Sequence, residues 1–404
     1  MNASSRPVFA LILTTVLALA GCGGAAAPPS SAGPAPASAA AKAPASAAAP
    51  ASAAAPATSK PAAQAGAPAV WEQIVAAAKQ EGTAILGVPP GPQYQPAIAE
   101  GFGKAYPGIK LEMTNIHAAD FSTRLAKERA AGLFAWDAWI GGPDVDIYRL
   151  ASEGAFDPLK PDITQPDVLD NSKWLGGGFD VEFSDQAKKF TLNFGALSSE
   201  GAFVNRDLIP ESALAKYEDL WKPEFKGKIV WQDPRQSGSG VNSAAVILKV
   251  FGEQKLRDLW SSQGIVLSTD ERQMAEWVAR GTHPIGIGLV RNRGIDLLKA
   301  QGVGLSIKSV PFPIALNIPG AHALIAVNKP PHPNARKVIL TWILSQDGQT
   351  AIAKASNINS RRLDVPIVDP TTVPPKDQPT LNTQAEDFAP LRAQANKIAA
   401  EIFK

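Results

Sequence analysis

The chain has 404 residues and a formal net charge of +2, with 39 Lys and Arg against 37 Asp and Glu. So even a balance lacks the basic field that draws a protein to nucleic acid, and no nucleic-acid partner is expected. The single cysteine, Cys22, has no second thiol to pair with, which excludes a fold held together by internal disulfides.

The chain opens as an export signal. The N-terminal amine and Arg6 supply positive charge, and residues 7–20 are apolar and uncharged, shorter than the roughly 20 residues of a spanning helix. The run closes on Leu19-Ala20-Gly21-Cys22. That ending resembles the lipobox of bacterial lipoproteins, in which the cysteine is lipidated and becomes the mature N-terminus. Residues 1–21 are therefore expected to be a lipoprotein signal peptide and Cys22 the lipidation site. The alternative is a plain signal peptide cleaved beside an incidental cysteine. Residues 22–69 then form a tether of Ala, Pro, Ser and Gly with Lys42 and Lys60 as its only charges. Such a segment cannot bury enough apolar area to offset its ordering entropy, and recurring Pro keeps it extended.

All nine Trp, all four Tyr and every acidic residue lie beyond the tether, from residue 70 to the C-terminus. At about 330 residues this body can bury a large core, and chains of that size usually divide into lobes. Residues 71–80 put Trp71, Ile74, Val75 and Ala78 on one helical face, ended by Glu81-Gly82. A strand is expected over 83–88, a helix over 97–106, a strand over 109–113, a helix over 121–131 and a buried strand over 138–140. Strict alternation of strand and helix points to an α/β protein with a mostly parallel sheet. Ligands bind such sheets at the carboxyl ends of the strands.

Several runs carry a resemblance, and they come in order. They are WEQIVAAAKQEG at 71–82, FGKAYPGI at 102–109, RLAKERAAG at 124–132, DAWIGG at 137–142 and LWKPEFKGKIV at 220–230. Asp233-Pro234-Arg235, Ser237-Gly238-Ser239-Gly240 and PNARKVILTWILSQDGQ at 333–349 come after them. Together they resemble the solute-binding proteins of ABC transporters, in the iron(III)-like group of the type 2 periplasmic-binding fold. The resemblance covers nearly all of the body and stops short of the last few dozen residues. It implies two α/β lobes joined by two hinge crossings, with the ligand in the cleft between them. On that pattern residues 70–197 and 320–404 form lobe 1, residues 203–308 form lobe 2, and the crossings lie at 198–206 and 309–327. A transporter permease would read the closed shape.

The candidate ligand-binding residues sit where strands end. Gln93 and Tyr94 close the loop after the first strand, which is either a cleft loop or a proline-stiffened turn. Gly142 lets backbone approach a ligand, and Asp144 is either a cleft residue or a helix N-cap. Ser237, Gly238 and Ser239 precede an apolar helix, where free N–H groups and the helix dipole make an anion site, or where serine simply caps. Thr269 and Asp270 end another strand and either reach the cleft or cap a helix. Arg291 and Asn292 come after the strand over 285–289, and Arg291 either grips a carboxylate, phosphate or phosphonate or stands exposed.

One departure from the family matters. Its iron-binding members place two neighbouring tyrosines in that last loop, whereas this chain has Leu289-Val290-Arg291-Asn292-Arg293. Tyr94, Tyr106, Tyr148 and Tyr217 supply no such pair, so a tight ferric site is not expected. Arginine in their place argues for an organic anion. His117, His283, His322 and His332 show no metal-binding spacing, and neither a metal nor a cofactor is expected. No nucleophile elbow, P-loop or dinucleotide fingerprint is present, so no enzymatic activity is expected. The sequence thus reads as a monomeric, lipid-anchored receptor outside the cytoplasm that delivers a small anionic solute to an ABC permease. The alternatives are a ferric receptor with a non-tyrosine or anion-assisted site, a hydrolase using Ser237 or Ser239 with a distant histidine, and a sensor's ligand-presenting subunit.

Overall fold

The apolar stripe at 71, 74, 75 and 78 forms the inner face of helix α1 (Ala67–Glu81), packing on the core, and Gly82 takes a positive φ of 74° to end it. The computed structural model describes residues 67–90, 94–198, 201–291, 294–375 and 379–404, all within one compact unit, Ala63–Lys404. The export signal, Cys22 and the tether up to residue 66 lie outside the described residues, as do Gln93 and Asn292. No helix among the described residues is long and apolar enough to cross a membrane.

After α1 the alternation continues through β1 (Thr83–Val88), α2 (Tyr94–Ala105), β2 (Lys110–Asn115), α3 (Ala118–Ala130), β3 (Ala138–Gly141), α4 (Val145–Ser152) and β4 (Phe156–Asp157). Strand β1 lies between β2 and β3, parallel to both, with Thr83 opposite Lys110 and Leu86 opposite Ala138. All four residues of β3 are buried, as parallel strands covered on both faces require. A short α5 (Pro166–Leu169), β5 (Leu192–Asn193) and β6 (Gly195–Ala196) lead out of this sheet.

The chain then builds a second sheet. It contains β7 (Ala202–Asn205), β8 (Ile229–Gln232), α6 (Ser239–Phe251), α7 (Glu253–Ser262), β9 (Val266–Ser268), α8 (Glu271–Arg280), β10 (Ile285–Ile287), α9 (Ile295–Ala300) and β11 (Ile307–Val310), the helices covering the strands. Its strand order is β11-β7-β10-β8-β9, parallel over β10-β8-β9 and antiparallel on both sides of β7. The chain then returns through β12 (Ala315–Leu316) to β13 (Ala323–Val327), which inserts between β3 and β4 of the first sheet. Strand β13 runs antiparallel to β3, β4 and β5 because it enters from the other lobe. The first sheet is therefore parallel only over β2-β1-β3, short of what local alternation suggests.

Helices α10 (Pro333–Leu344) and α11 (Gln346–Ser356), strands β14 (Asn359–Ser360) and β15 (Thr380–Leu381), and helix α12 (Ala389–Ile402) complete the fold. There are two lobes with separate cores. Leu86, Ile98, Phe102, Ile140, Leu324 and Trp342 fill one, with Phe121, Trp136 and Trp139 on its opposite sheet face. Val204, Ile229, Trp231, Ile247 and Leu259 fill the other, backed by Phe203, Val230, Met274 and Val278.

The last helix departs from the sequence expectation, which places all of 320–404 in lobe 1. Ala395, Ile398 and Ala399 of α12 enter the second core, and Glu401 pairs with Arg257 of α7 at 2.8 Å. An amphipathic stripe says that a helix is covered, not by which neighbour. Between the lobes, Leu197 and Ile318 exchange backbone hydrogen bonds of 2.9 and 3.0 Å, so the outgoing and returning segments are paired to each other.

Candidate functional site

These paired segments form one side of a cavity of about 60 Å³, room for roughly four or five water molecules. Leu197, Phe203, Phe312, Leu316 and Ile318 give it an apolar wall. Ser239, Asn242 and Ser243 face it from the first turns of α6, and Arg291 from beyond β10. Asp369, Thr372 and Thr383 line it from the chain beyond β14. Charged and hydroxyl groups over an apolar wall suit a small polar solute.

The start of α6 is clamped to the end of β8. N-cap Gly238 has no side chain, and Gln232 substitutes: its Oε1 accepts from the Gly240 N–H at 2.7 Å while its Nε2 donates to Glu271 at 2.9 Å. Trp231 Nε1 donates to the Gly240 carbonyl at 3.0 Å. A Cβ at residue 240 would lie 1.9 Å from the Gln232 carbonyl oxygen, so only glycine permits this approach. The expectation of wholly uncapped amides here needs correction. The Gly240 donor is already satisfied within the protein.

Arg291 is half-buried, which excludes the alternative of an exposed arginine. It is ion-paired with Asp369, and its Nε lies 3.5 Å from Asp296. Asp369 also accepts from the Thr371 N–H at 3.0 Å and the Thr371 hydroxyl at 2.6 Å. Burial raises the Asp369 pKa, but these hydrogen bonds and Arg291 outweigh it and hold the carboxyl below its ordinary value. Asn359 fixes the loop, accepting from the Val368 and Asp369 N–H groups at 3.0 Å and donating to the Asp369 carbonyl at 2.7 Å.

The remaining sequence candidates lie apart from the cavity wall. Tyr94 is buried in the first core with its ring 5.4 Å from that of His322, and burial raises its phenol pKa well above the usual value. A Cβ at Gly142 would come within 2.9 Å of the Gly320 carbonyl, so the close approach there is to the protein's own backbone. Asp144 caps α4, accepting from the Ile147 N–H at 3.1 Å, and Ser237 Oγ donates to its other oxygen at 3.4 Å. Asp270 caps α8 through the Gln273 N–H at 3.0 Å, and Thr269 beside it is exposed. Of the described candidates, Ser239 and Arg291 meet at the cavity. None of the four tyrosines and no histidine lines it.

Asn242, Ser243, Asp369, Thr372 and Thr383 escape the sequence reasoning. Asn242 and Ser243 come after Ser239 by helical spacing and were legible in principle. The sequence likewise shows no acid–histidine motif, yet His332 Nδ1 lies 2.9 Å from Asp137. That buried carboxylate also accepts from the Ile85 and His332 N–H groups, and the pair ties β1 to the start of α10.

Two lobes, paired crossing segments and a cavity between them define a hinged binding protein. Residues 87–350, well over half of the chain, match the family model described as bacterial extracellular solute-binding protein, and the chain belongs to that family. No curated protein matches it in sequence. Among solved structures it is similar to iron-bound HitA from Pseudomonas aeruginosa, with 18% identity, a TM-score of 0.61, and 79% of this chain and 99% of that chain covered. It is also similar to Trichodesmium IdiA (FutA) in complex with iron and citrate, with 16% identity, TM-score 0.62, and 80% and 99% covered. AfuA from Actinobacillus pleuropneumoniae with fructose-6-phosphate bound gives 18%, 0.60, and 80% and 99%. These likenesses establish the type 2 periplasmic-binding fold. The protein is a solute-binding protein of the periplasm or cell exterior, of a family that works with ABC permeases.

Proposed function

We propose that the protein is a lipid-anchored receptor that captures a small anionic solute between its lobes and delivers it to an ABC permease without chemical change. The observation that carries this reading is the meeting of Ser239 and Arg291, from the second lobe, with Asp369, Thr372 and Thr383 around one cavity. A solute touching both walls binds the closed form better than the open one and so shifts the hinge toward closure. Arginine offers a planar fork to carboxylate or phosphate, and Asp369 stands where the solute's acid would be gripped. Cys22 supplies the anchor and residues 22–69 the tether. Ser237 Oγ donates to Asp144 at 3.4 Å, and no histidine among the described residues lines the cavity beside Ser239, which supports binding over serine catalysis.

Thermal unfolding of the purified protein tests the ligand class. Carboxylates and phosphate esters are expected to raise Tm with concentration, by mass action on the native state. A rise with ferric salts or neutral sugars and none with any anion would overturn the reading. Fractionation tests the anchor, since Cys22→Ser should move the protein from the membrane to the soluble fraction.

A further inference from the structure

Among the described residues four arginines are buried: Arg336, Arg361, Arg362 and Arg392. Three have carboxylate partners. Arg336 pairs with Asp157 and Asp162, Arg361 with Glu182, and Arg362 with Asp167 and Asp364. Arg392, 5% exposed, differs. Its Nη1 donates to the Thr383 carbonyl at 2.8 Å, while its Nε and Nη2 are buried with no hydrogen-bond partner among the described residues. A buried charge with unmet donors destabilises a fold, so its presence calls for a reason other than stability.

Its place supplies one. Arg392 belongs to α12, which packs on the second lobe, yet the groups around it lead to the cavity and to the first lobe. Thr383, which takes its Nη1, lines the cavity. The charges of Asp144 and Asp387 act to raise the guanidinium pKa, and burial outweighs them in lowering it. Asp144 is also the residue that Ser237 contacts from the second lobe. The guanidinium therefore stands beside the seam where the lobes meet, behind Thr383 and outside the cavity wall itself. Nε and Nη2 form one edge of the fork, the edge that holds two oxygens of one acid side by side.

We infer that Arg392 is a solute-binding residue whose Nε–Nη2 edge receives the oxyanion, a carboxylate or phosphate, as the lobes close. The inference rests on the anionic reading above and adds a second cation to the site. Arg291 must exchange Asp369 for the solute, whereas Arg392 has no carboxylate in ion-pair contact among the described residues, Asp144 and Asp387 acting on it from farther off.

Isothermal titration of the full-length protein with inorganic phosphate, citrate and acetate tests it, the separate arms telling phosphate from carboxylate. Arg392→Met is expected to weaken the anion that binds best by about tenfold or more, with the ligand-free unfolding midpoint unchanged or raised. Arg392→Lys, which keeps the charge and loses the fork, is expected to weaken it similarly and serves if the Met variant does not fold. Wild-type affinity in either folded variant would overturn the inference, leaving the buried donors to ordered water and the anionic reading intact. No binding of any probe by the wild type would overturn the anionic reading itself, and this inference with it.

Discussion

Arg291 of the second lobe is ion-paired with Asp369, whose loop is held by Asn359 of β14 against β6, so the protein supplies its own acid to the arginine expected to bind one. This pair and the Ser237–Asp144 contact both join a residue of the second lobe to one of the first. The Asp369 pKa is depressed. A depressed carboxylate contributes stability above its unfolded pKa and loses it only as pH falls through the lower folded value. Ligand-free protein should therefore keep this contact throughout the neutral range and lose it only below about pH 4. Small-angle scattering against pH checks this; expansion between pH 6 and 8 would contradict it.

Substitutions at the pair should act with opposite signs. Arg291→Ala and Ser239→Ala are each expected to weaken anion binding by about 1–3 kcal/mol, the range for hydrogen bonds to charged groups. Asp369→Asn removes the competitor and should strengthen binding by about 1 kcal/mol. Titration calorimetry at low salt reads all three. A loss of affinity in Asp369→Asn would make Asp369 a ligand contact and not a competitor.

Asp144 carries a pH dependence of the other sign. Burial raises its pKa, and the Ile147 N–H and the Arg392 charge only partly offset this. A carboxyl with a raised folded pKa contributes most below its unfolded pKa, and that contribution is lost as pH rises through the folded value. Asp144→Asn keeps a cap for α4 without the charge. Its stability relative to wild type should grow from pH 4 to pH 8, and Asp144→Ala, which loses the same titration and the cap besides, should follow that trend about 1 kcal/mol below Asp144→Asn throughout. Denaturant midpoints across that range decide it; a constant gap for Asn would show that the raised pKa is wrong.

Much of the fold was legible because its longer elements repeat. Strand β1 could be read over 83–88 because an apolar run is bracketed by Gly82 and Pro89, and α1 because its stripe has helical spacing. The two-residue strands β4, β5, β6, β12, β14 and β15 are too short for periodicity to register, and the last five are the elements that tie the crossings to the chain around them. The site divides in the same way. Ser239 and Arg291 sit beside regular elements, where strand ends and helix starts mark themselves. Asp369, Thr372 and Thr383 reach the cavity through irregular chain held by partners such as Asn359, and nothing local announces them. Arg392 reads locally as one more polar residue on an amphipathic helix; only its burial against Thr383 sets it apart.

Gly201 offers the sharpest test of the crossing as a mechanical element. It has φ 78° and lines the cavity, and a Cβ there would lie 2.2 Å from the Val310 carbonyl oxygen and 2.9 Å from the Phe312 nitrogen. Both are backbone atoms of the returning segment, and Val310 is held opposite Ala202 in the β11–β7 pairing, so neither can swing aside as a side chain would. Gly201→Ala must therefore force the two segments apart as well as strain its own backbone, and should destabilise by about 2–4 kcal/mol. Gly177, with φ 85° and nothing within 4 Å of its would-be Cβ, supplies the control. Gly177→Ala meets only the backbone strain and should cost about 1 kcal/mol. Guanidinium midpoints of the two variants separate the effects, and anion affinity should fall in the first alone. Equal midpoint shifts would mean that the close approach at Gly201 relaxes freely and does not hold the crossing segments together.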